Sequence, residues 1–202
     1  MKLTLAGCPL EVRPEGALLP HEREALERLA TTSASVAPSS ADPFRLDLVE
    51  EPPWPAADLA AFPDGGPAEV DVDGAVLRVT HRRFAAVLDP ASLRGRVFRP
   101  GAASAAVEIT LRVALAARLP AIGALPLHAA GILLDGSGHV FFGPSGAGKS
   151  TLSSSASGPV LSDELVAVSA EPPELRSTGF WGEMGQTVPP PSTAPLGSLV
   201  EL

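Results

Sequence analysis

The chain has 202 residues, 45% of them apolar and 19% charged, which is typical of a globular protein of one or two domains and excludes a disordered or fibrous chain. Its formal net charge of −8 at pH 7 argues against non-specific nucleic-acid binding, which requires Lys and Arg to neutralise phosphates, and no stretch reaches the roughly 18 apolar residues of a membrane span. A single cysteine, Cys8, cannot form an internal disulfide, so we expect a cytoplasmic protein in a reducing compartment.

Helical, strand-like and loop-like patterns alternate along the first 120 residues. They predict, in chain order, a helix, a loop, a strand, a loop, a hairpin and a second helix. The segments are residues 20–30, 31–43, 44–50, 51–67, 68–89 and 102–120. Pro20 opens the first helix and Pro120 ends the second. Asp73 and Gly74 form a typical hairpin turn.

Apolar runs become denser after residue 125. The runs at 125–135 and 138–143 are joined by Asp-Gly-Ser-Gly and predict a second hairpin. Residues 149–157 predict a short helix, and residues 159–180 predict two or three short strands. This change of pattern places a domain boundary near residue 120.

Residues 143–150, GPSGAGKS, match the phosphate-binding pattern G-x-x-x-x-G-K-[ST] at every fixed position. Its glycines let the backbone wrap tightly, so that several N–H groups face phosphate oxygens. Lys149 can reach the β- and γ-phosphates, and the hydroxyl of Ser150 can bind Mg²⁺. An apolar strand pattern runs into the loop and a helix pattern runs out, which disfavours a Gly-rich turn without a ligand. The predicted nucleotide-binding residues are Gly143, Pro144, Ser145, Gly146, Ala147, Gly148, Lys149, Ser150 and Thr151.

An acid pair, Asp163 and Glu164, follows Lys149 by only fourteen and fifteen residues. An acid at a strand end beside a phosphate loop can hold Mg²⁺ or its water, and a second one can accept a proton from an attacking hydroxyl. Both acids and Ser150 are therefore candidate metal ligands, the alternative being a solvated acid pair in a turn. Because only twelve residues separate Ser150 from Asp163, there is room for a short helix and a turn but not for the long insertion of an ABC transporter ATPase.

With His128 added, the motifs LHAAGILLDGSGHVFFGPSGAGKSTL and VLSDELVAV resemble the catalytic domain of the HPr kinase/phosphorylase family. The chain looks closest to the HPr-kinase-like proteins found beside peptide-modification gene clusters, and its core is also similar to ATP-type phosphoenolpyruvate carboxykinase. The likeness covers roughly residues 105–202. It implies an α/β fold with a P-loop nucleotide-binding core over residues 121–202, and the pattern of elements before residue 120 predicts a small N-terminal α+β module over residues 1–120.

The resemblance also implies roles for single residues. The loop would bind ATP and Mg²⁺ with Lys149 as a catalytic cation, Asp163 would be the general base, and Glu164 would be the acid on the metal side. His128 would be a catalytic residue near this pair, and Arg176 would face the phosphates. From the residues alone, a core position is the favoured interpretation of His128, and a surface position is the favoured interpretation of Arg176.

We therefore expect an ATP-dependent, Mg²⁺-requiring kinase that transfers the γ-phosphoryl group to a hydroxyl, a serine of a small protein or modified peptide. The expected partners are the nucleotide and this acceptor, with self-association left open and neither nucleic acid nor membrane expected. The alternative is a truncated or degenerate nucleotide-binding scaffold or regulator. The end of the chain at Leu202, inside a strand pattern where relatives continue, favours the alternative, whereas the intact set of Lys149, Ser150 and Asp163 favours the enzyme.

Overall fold

The computed structural model of the protein describes residues 1–33, 41–50, 59, 62, 66–99, 105–182 and 193–202. It is mostly β-sheet, with 47% strand and 22% helix. Most of the predicted loop at 51–67, and residues 34–40 of the loop predicted at 31–43, lie outside the described residues.

Seven strands form the first sheet. They are β1 Lys2–Leu5, β2 Cys8–Pro14, β3 Phe44–Val49, β4 Glu69–Asp73, β5 Val76–His81, β6 Phe84–Asp89 and β7 Arg94–Phe98. The strand order is β1-β2-β3-β7-β6-β5-β4, with parallel pairing of β2 to β3 and of β3 to β7 and antiparallel pairing from β7 to β4. The hairpin predicted at Asp73 and Gly74 is confirmed, and Gly74 has the positive φ of 62° that such a turn requires.

Two helices belong to the same stretch of chain, α1 Pro20–Ser33 and α2 Ala106–Arg118. Both predicted helices are confirmed, although α1 continues to Ser33 into the segment predicted as a loop. Glu22 accepts the N–H of Leu19 at 2.9 Å, which satisfies a free donor at the start of α1. α2 contacts β6 and β7 through a buried apolar face that includes Leu111 and Leu115, and a 3₁₀ turn, Leu119–Ile122, follows it.

The second sheet also has seven strands. They are β8 Ala124–Leu127, β9 Ala129–Leu134, β10 Ser137–Phe142, β11 Val160–Ser162, β12 Val166–Ala170, β13 Pro173–Ser177 and β14 Thr193–Glu201. Their order is β11-β9-β10-β14-β13-β12-β8, and a short helix, α3 Lys149–Ser155, lies between β10 and β11 in the chain. The predicted hairpin between β9 and β10 is confirmed: its turn residues Asp135 and Gly136 have φ values of 49° and 78°, as a two-residue type I′ turn requires. The buried apolar core of the second sheet includes Ala129, Val140, Leu161, Val166 and Leu175.

The direction of three strands brings distant sequence together. β10 and β11 both pair with β9, and both run antiparallel to it. The carboxyl ends of β10 and β11 therefore lie at the edge of the sheet where β9 begins. The phosphate loop follows β10, the acid pair follows β11, and His128 immediately precedes β9. The topology thus places all three at one edge.

The expected α/β class is wrong. An α/β fold needs crossover segments, usually helices, between successive parallel strands. Here the described residues contain three helices, and both sheets are mixed. In the second sheet the described strands pair antiparallel except for β10 with β14, and two-residue turns join β9 to β10 and β12 to β13. The N-terminal part contains the first seven-stranded sheet together with α1 and α2, and the small α+β module expected there stays a prediction.

The chain divides into two compact units. One comprises Met1–Leu3, Pro9–Leu26 and Ser40–Arg118, and the other comprises Thr4–Cys8, Glu27–Ser39 and Leu119–Leu202. The domain boundary predicted near residue 120 stays a prediction. None of the helices in the described part of the chain is long and apolar enough to cross a membrane.

Candidate functional site

Four chain segments line a cleft of about 340 Å³ in the second unit. They are the residue before β9, the phosphate loop with the start of α3, the turn after β11 and the segment after β13. The lining residues are His128, Ser145, Gly146, Gly148, Lys149, Ser150, Thr151, Asp163, Glu164 and Gly182. Three predicted binding residues, Gly143, Pro144 and Ala147, belong to the loop but not to this lining.

The loop owes its shape to glycines. Gly146 and Gly148 have φ values of 83° and 100°, in the left-handed region where other residues are strained. Gly143 is favoured for a different reason, because a Cβ there would lie 3.1 Å from the Cβ of Ala147 and 3.1 Å from the carbonyl oxygen of Leu202, which is a tight contact. Glycine therefore suits each of these three positions of the loop.

Lys149 places a positive charge inside the loop. Its side chain is 7% exposed, and its ammonium donates to the carbonyl oxygens of Gly143 at 2.9 Å and Pro144 at 3.0 Å. Two carbonyl dipoles only partly compensate a buried charge. An anion bound in the loop would supply the missing countercharge, and an ammonium has a third N–H to give it. Ser150 and Thr151 follow with exposed side chains.

The acid pair projects from the turn between β11 and β12. Asp163 is 3% exposed, and its Oδ1 accepts the backbone N–H of Gly182 at 2.8 Å, whereas Glu164 is partly exposed. A Cβ placed on Gly182 would lie 3.1 Å from Oδ2 of Asp163 and 3.1 Å from Oε2 of Glu164. The two carboxylates therefore turn one oxygen each toward the same point beside Gly182.

Buried hydroxyls hold this turn against the segment after β13. The Ser162 hydroxyl donates to the carbonyl of Phe180 at 2.7 Å. Ser177 donates to the carbonyl of Leu161 at 2.8 Å, and Thr178 donates to that of Leu165 at 2.5 Å. Each of these three hydroxyls belongs to a buried residue.

Sequence reasoning missed Ser162 and Gly182. Ser162 had a local signal, since a serine directly before two acids is a common start of a side-chain-supported turn. Gly182 had none, because it follows Asp163 by nineteen residues and meets it only through the fold.

Two predicted residues had alternative interpretations. His128 is exposed and lines the cleft, so its interpretation as a core residue is wrong. Arg176 lies outside the cleft lining, and its guanidinium bonds to Glu174 at 3.1 and 3.2 Å. The structure thus brings His128 to the loop and the acids, but not Arg176.

The oxygen donors at the cleft suit a hard cation. No cluster of three or more His, Cys, Asp or Glu side chains in the described residues could hold a metal ion. Mg²⁺, however, is commonly bound by one or two carboxylates together with waters and substrate phosphates. The converging oxygens of Asp163 and Glu164, with the Ser150 hydroxyl on the loop side, fit Mg²⁺ held jointly with a nucleotide.

No protein-family model matches the chain, and no curated protein matches it either. The cleft itself indicates which chemistry is available to the protein. Its walls combine a buried cation in a phosphate loop, two convergent carboxylates and an exposed histidine. Such an arrangement can bind a polyphosphate, neutralise its charge and accept a proton beside it.

Proposed function

We propose that the protein is a kinase of the kind found in the HPr-kinase-like family. It transfers the γ-phosphoryl group of ATP, in the presence of Mg²⁺, to a hydroxyl, a serine of a small protein or peptide in the cytoplasm. The observation that carries this proposal is the shared cleft: the phosphate loop and a nearly buried carboxylate, Asp163, line the same cavity.

Phosphate binding falls to the loop. Its backbone N–H groups and Lys149 contact the phosphate oxygens, and the lysine donates its third N–H to a phosphate oxygen while the other two stay on the carbonyls of Gly143 and Pro144. Ser150 and the two acids would hold Mg²⁺, which would supply charge neutralisation at the β- and γ-phosphates. Positioning and electrostatic stabilisation supply most of the rate enhancement in phosphoryl transfer.

Asp163 acts as the general base. Its carboxylate, whose Oδ1 accepts the Gly182 N–H, accepts the proton of the acceptor hydroxyl. The hydroxyl oxygen forms a bond to the γ-phosphorus while the bond to the β,γ-bridging oxygen breaks, and ADP leaves. His128, exposed at the cleft, donates a hydrogen bond to an oxygen of the transferring group.

Two substitutions test the proposal. Lys149→Ala should abolish Mg-ATP binding in calorimetry and leave the circular dichroism unchanged. Asp163→Asn can keep the hydrogen bond from Gly182 and should retain Mg-ATP binding within about tenfold, roughly 1.4 kcal/mol. It should lose about 10²–10⁴-fold in label transfer from γ-labelled ATP to candidate peptides or proteins encoded nearby, since a positioned base contributes that much.

Asp135→Asn is the matched control for the base. It makes the same change of charge in an exposed turn of the same sheet, at a φ of 49° that asparagine tolerates. Label transfer should equal that of the wild type. If the wild type binds Mg-ATP but labels no candidate, and Asp163→Asn hydrolyses ATP as fast as the wild type, the kinase proposal falls. The protein is then a nucleotide-binding scaffold or regulator.

A further inference from the structure

The buried hydroxyl of Ser162, the residue before the acid pair, uses all of its hydrogen-bonding capacity. Ser162 is 0% exposed and directly precedes Asp163. Its Oγ donates to the carbonyl of Phe180 at 2.7 Å and accepts the backbone N–H groups of Glu164 and Leu165, each at 3.1 Å. A serine hydroxyl has one donor and two acceptor sites, so this oxygen is saturated.

These three hydrogen bonds connect the turn after β11 to the segment after β13. The two accepted N–H groups belong to the turn that carries Asp163 and Glu164. The carbonyl that accepts the hydrogen bond from Ser162 belongs to Phe180, on the segment that also supplies Gly182. The N–H of Gly182 in turn donates to Asp163. The Ser162 hydroxyl therefore links the backbone from which the acids project to the backbone against which their oxygens converge.

We propose that Ser162 is a positioning residue of the site, which acts through the turn to hold the carboxylates of Asp163 and Glu164 in the cleft. The inference rests on the proposed function for its consequence, since these two carboxylates would hold the cation. Groups behind a metal ligand that orient it change metal affinity by 10–100-fold when they are removed. A functional constellation tolerates displacements of only about 0.5 Å.

The test compares Ser162→Ala with Ser169→Ala. Ser169 is the matched control because it is 2% exposed and its hydroxyl donates to a backbone carbonyl, that of Pro172, at the same distance of 2.7 Å, away from the cleft. The probe is Mn²⁺ titrated into the full chain in the presence of ADP, followed by electron paramagnetic resonance. Ser162→Ala should weaken Mn²⁺ binding at least tenfold and Ser169→Ala less than about twofold, with ADP affinity in EDTA unchanged in both.

Amide hydrogen exchange supplies a second measurement that needs no nucleotide. The N–H groups of Glu164 and Leu165 should be protected in the wild type and in Ser169→Ala, and should exchange at least tenfold faster in Ser162→Ala. If Ser162→Ala does not fold, the exchange of the two amides is measured in the wild type alone. Unprotected exchange of both amides in the wild type would then overturn the proposal.

The outcomes separate this inference from the proposed function. Equal losses of Mn²⁺ affinity in the two variants, or unchanged exchange at Glu164 and Leu165 in Ser162→Ala, overturn the positioning role. A wild type that binds no ADP overturns the proposed function instead. The exchange rates then still decide whether Ser162 holds the turn.

Discussion

Gly182→Ala adds one methyl group at the point where the two acids converge. The new Cβ would lie 3.1 Å from Oδ2 of Asp163 and 3.1 Å from Oε2 of Glu164, closer than the 3.4–4 Å of ordinary van der Waals contact. The backbone at Gly182 is not left-handed, so alanine introduces no backbone strain. Each carboxylate must therefore move away from the new methyl group by a few tenths of an ångström.

The cost in stability is expected to be small. Overpacking costs about 1–3 kcal/mol in a well-packed core, and the atoms that must shift here are the ends of side chains, which favours the lower end. Replacing glycine by alanine also stabilises the folded state by about 0.4–1 kcal/mol, because it reduces the conformational entropy of the unfolded chain. The free energy of unfolding should therefore fall by about 0–2 kcal/mol, which lowers the melting temperature of a chain of this size by up to about 8 °C.

The cost in cation binding is expected to be larger. Displacing the oxygens that hold Mg²⁺ should weaken Mn²⁺ binding in the presence of ADP by about 10–100-fold, with ADP affinity in EDTA unchanged. Mn²⁺ titration, calorimetry with ADP and thermal melting measure the three quantities on one preparation. Wild-type Mn²⁺ affinity in Gly182→Ala would show that no cation is held at the convergent oxygens, and the assignment of Asp163 and Glu164 as ligands would be refuted.

Two further substitutions test a site residue and a structural one. His128→Asn should melt within a few degrees of the wild type, because substitutions of exposed residues typically change the free energy of unfolding by less than about 0.5 kcal/mol. It should nevertheless lose most label transfer from ATP. A markedly lower melting temperature would contradict the place of His128 in the cleft. Glu22 is 1% exposed and pairs with Arg99 at 3.0 Å, outside hydrogen-bond geometry, so Glu22→Ala should lower the free energy of unfolding in urea by about 3 kcal/mol. Glu24→Ala, an exposed position of the same helix, should change it by less than about 0.5 kcal/mol, and equal losses would refute the buried pair.

The local elements were predictable because each depends on residues close together in the chain. The turn at Asp135 and Gly136 requires two left-handed residues, and the sequence offers such residues there. The phosphate loop is similar, since the φ values of Gly146 and Gly148 are open to glycine and costly for most other residues. Helix α1 follows from Pro20, Glu22 and the spacing of its buried leucines.

The fold class was not predictable in the same way. A phosphate loop between a strand and a helix is compatible with many sheets, and the helix that follows it here, α3, has seven residues. What distinguishes a mixed sheet from an α/β sheet is the pairing of strands far apart in the chain, such as β10 with β14. Such pairing depends on packing of the whole sheet, which the alternation of apolar residues within one strand does not encode.

By itself, the sequence determined the chemistry available at the site: the loop with Lys149 and Ser150, and the acids Asp163 and Glu164 beside them. Only the tertiary structure decided which other groups meet this chemistry. The antiparallel pairing of β10 and β11 with β9 brings His128 to the cleft. Arg176, on β13, lies outside the cleft lining and bonds to Glu174. The segment after β13 brings Gly182 against both carboxylates, nineteen residues beyond Asp163. The reason is physical: close approach of distant backbone is set by strand order and side-chain packing, and no local spacing specifies either.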